Sequence, residues 1–253
     1  MSSWQSVSFS NARGCSLSGL LYRTNPPDHL LVIVCHGFTG SKEGADKAIQ
    51  MAEFFGQLKM NCLLFDFAGS GQSQGRFEEI TLSGQIDDLG SAVTWCCNNG
   101  LTNIASLGRS FGGTTALCHA AGDARVRGVC TWAAPASVYK IFRDKSQPDP
   151  ADSASIILSG SDGSIRLNRD FLDDLATHAV LDQIKKISPR PILILHGTKD
   201  ETVAPKEAQL LFDAALPPKN IVHIDNGDHS FRNNNREVWQ QTADWLKQFV
   251  LRL

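Results

Sequence analysis

The stretch Asn103-Ile104-Ala105-Ser106-Leu107-Gly108-Arg109-Ser110-Phe111-Gly112-Gly113 decides how this chain is read. A short apolar run, the pattern of a buried strand, ends at Gly108. The next four residues force a sharp turn, and a helical run over 114–121 follows at once. In so tight a turn, Cβ atoms two residues either side of the serine would clash, so only glycine fits there. The turn pushes Ser110 to its tip, with the hydroxyl exposed at the carboxyl end of the strand. The helix behind it aims free amides and a positive dipole end at the same point. Strand, G-x-S-x-G and helix in that order make a nucleophile elbow.

The bare pattern is weak, because Gly71-Gln72-Ser73-Gln74-Gly75 repeats it. Context separates the two. Ser73 lies several residues past a strand that ends near Phe67, in a Gly- and Ser-rich loop. The next helical pattern waits until about Thr81. Ser73 reads as a loop residue.

Working outward, residues 4–9 and 16–22 alternate apolar and polar around Asn11-Ala12-Arg13-Gly14, which predicts a hairpin ended by Pro26-Pro27. Residues 30–35 are continuously apolar, as in a strand buried on both faces. They deliver His36-Gly37-Phe38-Thr39-Gly40. A helix over 48–58, a strand over 61–67, an amphipathic helix over 82–97 and a strand over 126–132 complete the first half. After Pro191 come a strand at 192–195, a helix at 207–216, a strand at 220–224, a loop at 225–231 and a helix at 238–251. Strands alternating with helices predict a mostly parallel sheet with helices on both faces. Chemistry in such sheets collects at the carboxyl ends of the strands. Between about 136 and 190 the alternation breaks. Residues 146–164 read as a Ser-, Asp-, Gly- and Pro-rich loop, 165–167 as a short strand, and 171–175 and 180–187 as helical. The segment is too short for an independent domain. It reads as a small cap insertion over the strand ends, within a single domain spanning 1–253.

A serine hydroxyl needs a base in hydrogen-bond reach, and the base needs a partner that fixes its tautomer. Of seven histidines, His229 is the best placed, in a loop just after the last strand. His29 sits at a strand start, His119 and His178 in helical stretches, and His223 inside a strand. His36 and His196 precede glycines at strand ends and are expected to bond loops. Asp200 follows the strand at 192–195 and is the orienting acid, with Glu201 beside it as the alternative; Asp225 and Asp228 lie too close in the chain to His229. The order Ser110, Asp200, His229 is the one expected of such a triad. Backbone N–H groups of Phe111 and Phe38 are the expected oxyanion donors.

Composition narrows the classes. With 24 Lys and Arg against 26 Asp and Glu and no basic stripe, nucleic acid is excluded as a partner. No apolar stretch reaches membrane-spanning length. Residues 1–10 lack the basic start and apolar core of a signal peptide, which points to the cytoplasm. The seven cysteines are odd in number, without C-x-x-C spacing, and are expected to be reduced. Metal-ligand spacing such as H-E-x-x-H is absent, so no metal and no cofactor are expected.

His36-Gly37-Phe38-Thr39-Gly40, Asp66-Phe67-Ala68-Gly69-Ser70-Gly71-Gln72-Ser73, the 108–113 stretch, the 196–203 stretch and Gly227-Asp228-His229 stand in the order of α/β-hydrolase landmarks. Over nearly its whole length the chain resembles that superfamily, and most of all the small serine esterases that include cinnamoyl and feruloyl esterases. The resemblance implies an eight-stranded, mostly parallel sheet with helices on both faces and a small cap. It implies Ser110 as nucleophile, His229 as base, Asp200 as orienting acid, Phe38 and Phe111 as oxyanion donors, and Asp66 and Ser73 as loop-shaping residues. Arg109 stands where those esterases more often carry His. The expected activity is carboxylesterase, on small to medium acyl esters through an acyl-enzyme. A thioesterase or amidase with the same triad, or a non-catalytic binding protein on this fold, are the alternatives. Arg109, Tyr139, Phe142, Phe171 and Phe231 are candidates for the substrate pocket.

Overall fold

The computed structural model describes residues 3–24, 29–160 and 163–250; Pro26-Pro27 lies outside them. In chain order the first half is β1 (Ser3–Ser10), β2 (Ser16–Arg23), β3 (Leu31–Cys35), α1 (Lys47–Gln57), β4 (Asn61–Phe65), α2 (Leu82–Asn98), β5 (Ile104–Arg109), α3 (Phe111–Gly122) and β6 (Val126–Trp132). An excursion follows: α4 (Val138–Lys145), β7 (Ser146–Asp149), β8 (Asp152–Gly160), β9 (Gly163–Asn168), α5 (Asp170–Thr177) and α6 (Val180–Gln183). The chain then returns through β10 (Ile192–Gly197), α7 (Lys206–Ala214), β11 (Lys219–Ile224) and α8 (Asn235–Trp245).

Eight strands form one sheet in the order β1-β2-β4-β3-β5-β6-β10-β11. Strands β1 and β2 pair antiparallel with each other, as does β2 with β4; from β4 to β11 every pairing is parallel. The central strands are apolar on both faces, and alternate residues feed two separate cores. Leu31, Ile33, Ile192 and Ile194 pack with α2, α3 and α7; Val32, Leu64, Leu193 and Leu195 pack with α1 and α8. The period of two in each strand thus builds the layers. The parallel order also puts the carboxyl ends of β3, β5, β6, β10 and β11 along one edge.

The stretch 146–164 is not a loop. It supplies β7 and β8, which with β9 make a three-stranded antiparallel sheet in the order β7-β8-β9. Ser, Asp and Pro lower strand propensity, but propensity here yields to pairing and burial. Ile156 and Leu158 of β8 point into the main core. Pro148 sits on the edge strand β7, where a missing N–H is tolerated. Helix α3 begins at Phe111, three residues before the sequence pattern suggests, because Gly112 and Gly113 form its first turn. Among the described residues, no helix is long and apolar enough to cross a membrane. All seven cysteines are free, and burial pushes the Cys118 and Cys130 thiols up to about 12.

Candidate active site

Strand β5 ends at Arg109 and α3 begins at Phe111, so Ser110 alone makes the turn. Its backbone sits at φ 52, ψ −124, a region costly for a residue with a side chain. The strain is held from both sides. The Ser110 N–H donates to Trp132 O on β6 at 2.7 Å, and the Gly113 N–H donates to Ser110 O at 2.8 Å. A Cβ at Gly108 would strike Gly112 and Gly113, and one at Gly112 would strike the His36 and Cys35 carbonyls. The Ser110 side chain does not cap α3, which leaves the hydroxyl for the cavity it lines.

Asp200 follows β10 and is buried. The Thr202 and Val203 N–H groups donate to its Oδ1 at 2.9 and 2.8 Å. Its Oδ2 takes His229 Nδ1 at 2.8 Å. A second imidazole stands on the same oxygen: His196 Nε2 is 3.2 Å from Asp200 Oδ2 and 2.9 Å from Val203 O. Both contacts of that nitrogen are acceptors, so it carries the proton. Burial alone would raise the Asp200 pKa. The hydrogen bonds from His196, His229 and Val203 outweigh it and hold the carboxyl well below the usual carboxylate range. His229 leaves β11 through a loop shaped by Asp228, whose Oδ1 accepts the Ser230 and Arg232 N–H groups. Glu201 is exposed.

The loop after β3 passes beside the serine: a Cβ at Gly37 would lie 3.6 Å from Ser110 Cβ. It is closed by the Gly40 N–H donating to Gly37 O. Phe111 is the first residue of α3, where an N–H has no intrahelical partner. The Phe38 N–H likewise has no acceptor among the described residues. Asp66, fully buried, ties this loop to the one after β4. It accepts the Lys42 N–H at 2.6 Å, Lys42 Nζ at 2.7 Å and the Gln72 N–H at 2.9 Å. Neither the Lys42–Asp66 pair nor the second imidazole on Asp200 was foreseen from sequence; the i,i+4 spacing of His196 and Asp200 was the one available signal for the latter.

The remaining histidines are used elsewhere. Burial lowers the His36 pKa, and its two nitrogens meet Gly37 O and the Phe67 N–H. His29 bonds Thr24, His119 pairs with Asp123, and His178 meets Ser83 and Asp174. His223 is exposed on β11.

Ser110, His229, Phe38, Phe111, Arg109, Phe142 and Phe231 line one cavity of about 860 Å³. Phe38, Phe111, Phe142 and Phe171 pack ring against ring, with centroids 4.9–5.9 Å apart. Phe171 belongs to that cluster but not to the cavity wall. Tyr139 is exposed, with the Arg143 guanidinium 5.5 Å from its ring, and is also off the wall. No group of His, Cys, Asp and Glu able to hold a metal occurs among the described residues. A hydroxyl, an imidazole backed by a carboxylate and two free N–H groups on one cavity are the parts that acyl transfer through a serine requires.

The prolyl oligopeptidase family model matches residues 50–251, a span that holds the serine, the aspartate and the histidine. The chain belongs to the prolyl oligopeptidase family. As a member of this hydrolase family it has the α/β-hydrolase fold. It is similar to YfhR of Salmonella typhimurium, 27% identical over 233 residues, covering 89% of this chain and 74% of that protein. Among solved structures, Est1E from Butyrivibrio proteoclasticus, with ferulic acid bound, aligns at TM-score 0.86 and 23% identity over 97% of this chain and 99% of that one. The esterase domain of a Rhodothermus marinus protein aligns at TM-score 0.79 and 24% identity, over 98% and 99%. At such identities these likenesses speak for the fold.

Proposed function

We propose that this member of the family is a serine carboxylesterase acting through an acyl-enzyme. One observation carries the reading: Asp200 holds His229 Nδ1 at 2.8 Å on the same cavity into which the strained turn presents Ser110. In the proposed reaction His229 Nε2 takes the Ser110 proton as Oγ attacks the ester carbonyl. The carbonyl oxygen becomes an oxyanion held by the Phe38 and Phe111 N–H groups. The C–O bond to the alcohol then breaks, and His229 returns the proton to the leaving oxygen. Water repeats the sequence on the acyl-enzyme and releases the acid. Asp200, ionised because its hydrogen bonds keep its pKa low, fixes the imidazole tautomer and stabilises the imidazolium. The excursion from α4 to α6 acts as the cap. Phe142 of α4, Leu158 of β8 and Ile165 of β9 form part of the cavity wall. The esterase neighbours support a small-molecule ester as substrate.

A second reading, amide or peptide hydrolysis by the same residues, is favoured by the family match itself. Labelling with a fluorophosphonate probe, then turnover of p-nitrophenyl esters, acyl thioesters and peptide amides by wild type and Ser110→Ala, tests both. Ester turnover that vanishes in Ser110→Ala is the expected result. No labelling of a folded wild type sinks the hydrolase reading, and faster amide than ester turnover hands it to the second.

A further inference from the structure

The cavity carries a charge that its occupant must answer. Among the described residues on its wall, Lys42, Lys47, Arg109, Lys145 and Arg232 are cationic, and none is Asp or Glu. The chain as a whole has a net charge of −2, so this concentration is local. Two of these cations are neutralised in place, Lys42 by Asp66 at 2.7 Å and Arg232 by Asp228 at 3.1 Å. Lys47, Lys145 and Arg109 have no ion pair among the described residues.

Arg109 is the informative one. It precedes Ser110, and its Nε is buried without a hydrogen-bond partner. Two carboxylates bear on it through space, Asp200 and Asp228, but neither bonds it, and Asp228 already takes the Ser230 and Arg232 N–H groups and the Arg232 guanidinium. Asp200 already takes two N–H groups on Oδ1 and two imidazoles on Oδ2. A guanidinium stays protonated and offers a planar fork matched to carboxylate and phosphate. Nε itself is shielded; the two terminal nitrogens of the guanidinium are not among the buried unmet atoms, and it is through them that Arg109, on the cavity wall, offers charge-assisted donors to an anionic occupant. Lys47 and Lys145 add a field that draws anions towards the same space.

We propose that the cavity selects an anionic substrate, an ester or thioester bearing a carboxylate or phosphate that seats against Arg109. This rests on the serine-hydrolase reading for the chemistry, though not for the binding. Two substrate arms distinguish where the charge lies. In one it is on the acyl part: monoesters of dicarboxylic acids against esters of the matching monocarboxylic acids. In the other it is on the leaving group: acyl-coenzyme A against the neutral acyl-N-acetylcysteamine thioester. In at least one arm, kcat/KM for the charged member should exceed that of its neutral partner by about tenfold or more, the weight of one charge-assisted contact. The ratio should collapse towards one in Arg109→Gln and shrink with added salt. Equal kcat/KM within both arms overturns the inference, as does a ratio unchanged in Arg109→Gln. Should that variant fail to fold, Lys47→Gln with Lys145→Gln takes its place, and a preference indifferent both to that pair and to salt overturns the inference. Calorimetric binding of glutarate and of coenzyme A to Ser110→Ala reads the charge without turnover. Binding of neither anion sinks the inference even where neutral esters are cleaved. Binding of one with no ester cleaved by wild type sinks the hydrolase reading alone.

Discussion

Gly71 to Gly75 and Gly108 to Gly112 share one five-residue pattern and have opposite fates. Ser73 spends its hydroxyl inside the protein: it donates to Asp66 O at 2.6 Å and accepts the Ser18 N–H at 2.9 Å. Ser110 does neither, and its backbone is driven to φ 52 by a strand on one side and a helix on the other. The glycines differ as well. A side chain at Gly71 would strike the Asp66 carboxylate, so that glycine serves a loop. One at Gly112 would strike the backbone of the β3 exit, so that glycine lets the turn and the Phe38 loop come together. A motif is therefore a statement about its flanks. Without the strand and helix, G-x-S-x-G is a loop turn whose serine hydroxyl is bonded within the fold.

Four substitutions break or sharpen this contrast. Ser110→Ala should lower kcat on the order of 10⁶-fold and abolish fluorophosphonate labelling while thermal unfolding is unchanged. Asp200→Asn should cost about 10⁴-fold in kcat, because the imidazole loses its tautomer partner. It also carries a pH signature. The folded-state pKa of Asp200 lies below its unfolded value, so the ionised group contributes stability that is complete above about pH 4 and lost as pH falls towards the folded value. Chemical denaturation should therefore show the gap between wild type and Asp200→Asn narrowing below about pH 4. Lys42→Met strands a fully buried carboxylate and should destabilise by about 3–5 kcal/mol in urea unfolding. Ser73→Ala removes two hydrogen bonds and should cost about 1–2 kcal/mol of stability, with ester turnover close to wild type. A large loss of turnover in Ser73→Ala with an active Ser110→Ala would reverse the assignment of the two serines.

The parallel strands were legible because a strand covered on both faces must be apolar throughout, as 30–35 and 192–195 are. The turn at Ser110 was legible because its glycines answer to local sterics. The pairing of Asp200 with His229 followed from placing loops at strand ends, though the order of strands in the sheet and all distances had to await the structure. Strands β7 and β8 were hidden for a physical reason. Their hydrogen bonds and the burial of Ile156 and Leu158 come from distant partners, while their own composition favours turns. The Lys42–Asp66 pair was hidden likewise, since two charges 24 residues apart give no pattern. Tyr139 and Phe171 show the limit of reading pockets from aromatics: one faces solvent and the other is buried against Phe38, Phe111 and Phe142.

The excursion has a further consequence for traffic. Ile156, Leu158, Leu167, Phe171 and Leu175 belong to the same apolar cluster as the sheet. The Glu207 carboxylate of α7 takes the Ala136 and Ser137 N–H groups at its root. Swinging the whole segment outward would wet those five side chains at roughly 1.5–3 kcal/mol each, on the order of 10 kcal/mol in total. A gate that heavy would stand ajar too rarely to serve a working enzyme. On the proposed function, substrate and product would then pass by small yielding of individual side chains around the cavity rather than beneath a swung-out segment, a route that would disfavour bulky polymers.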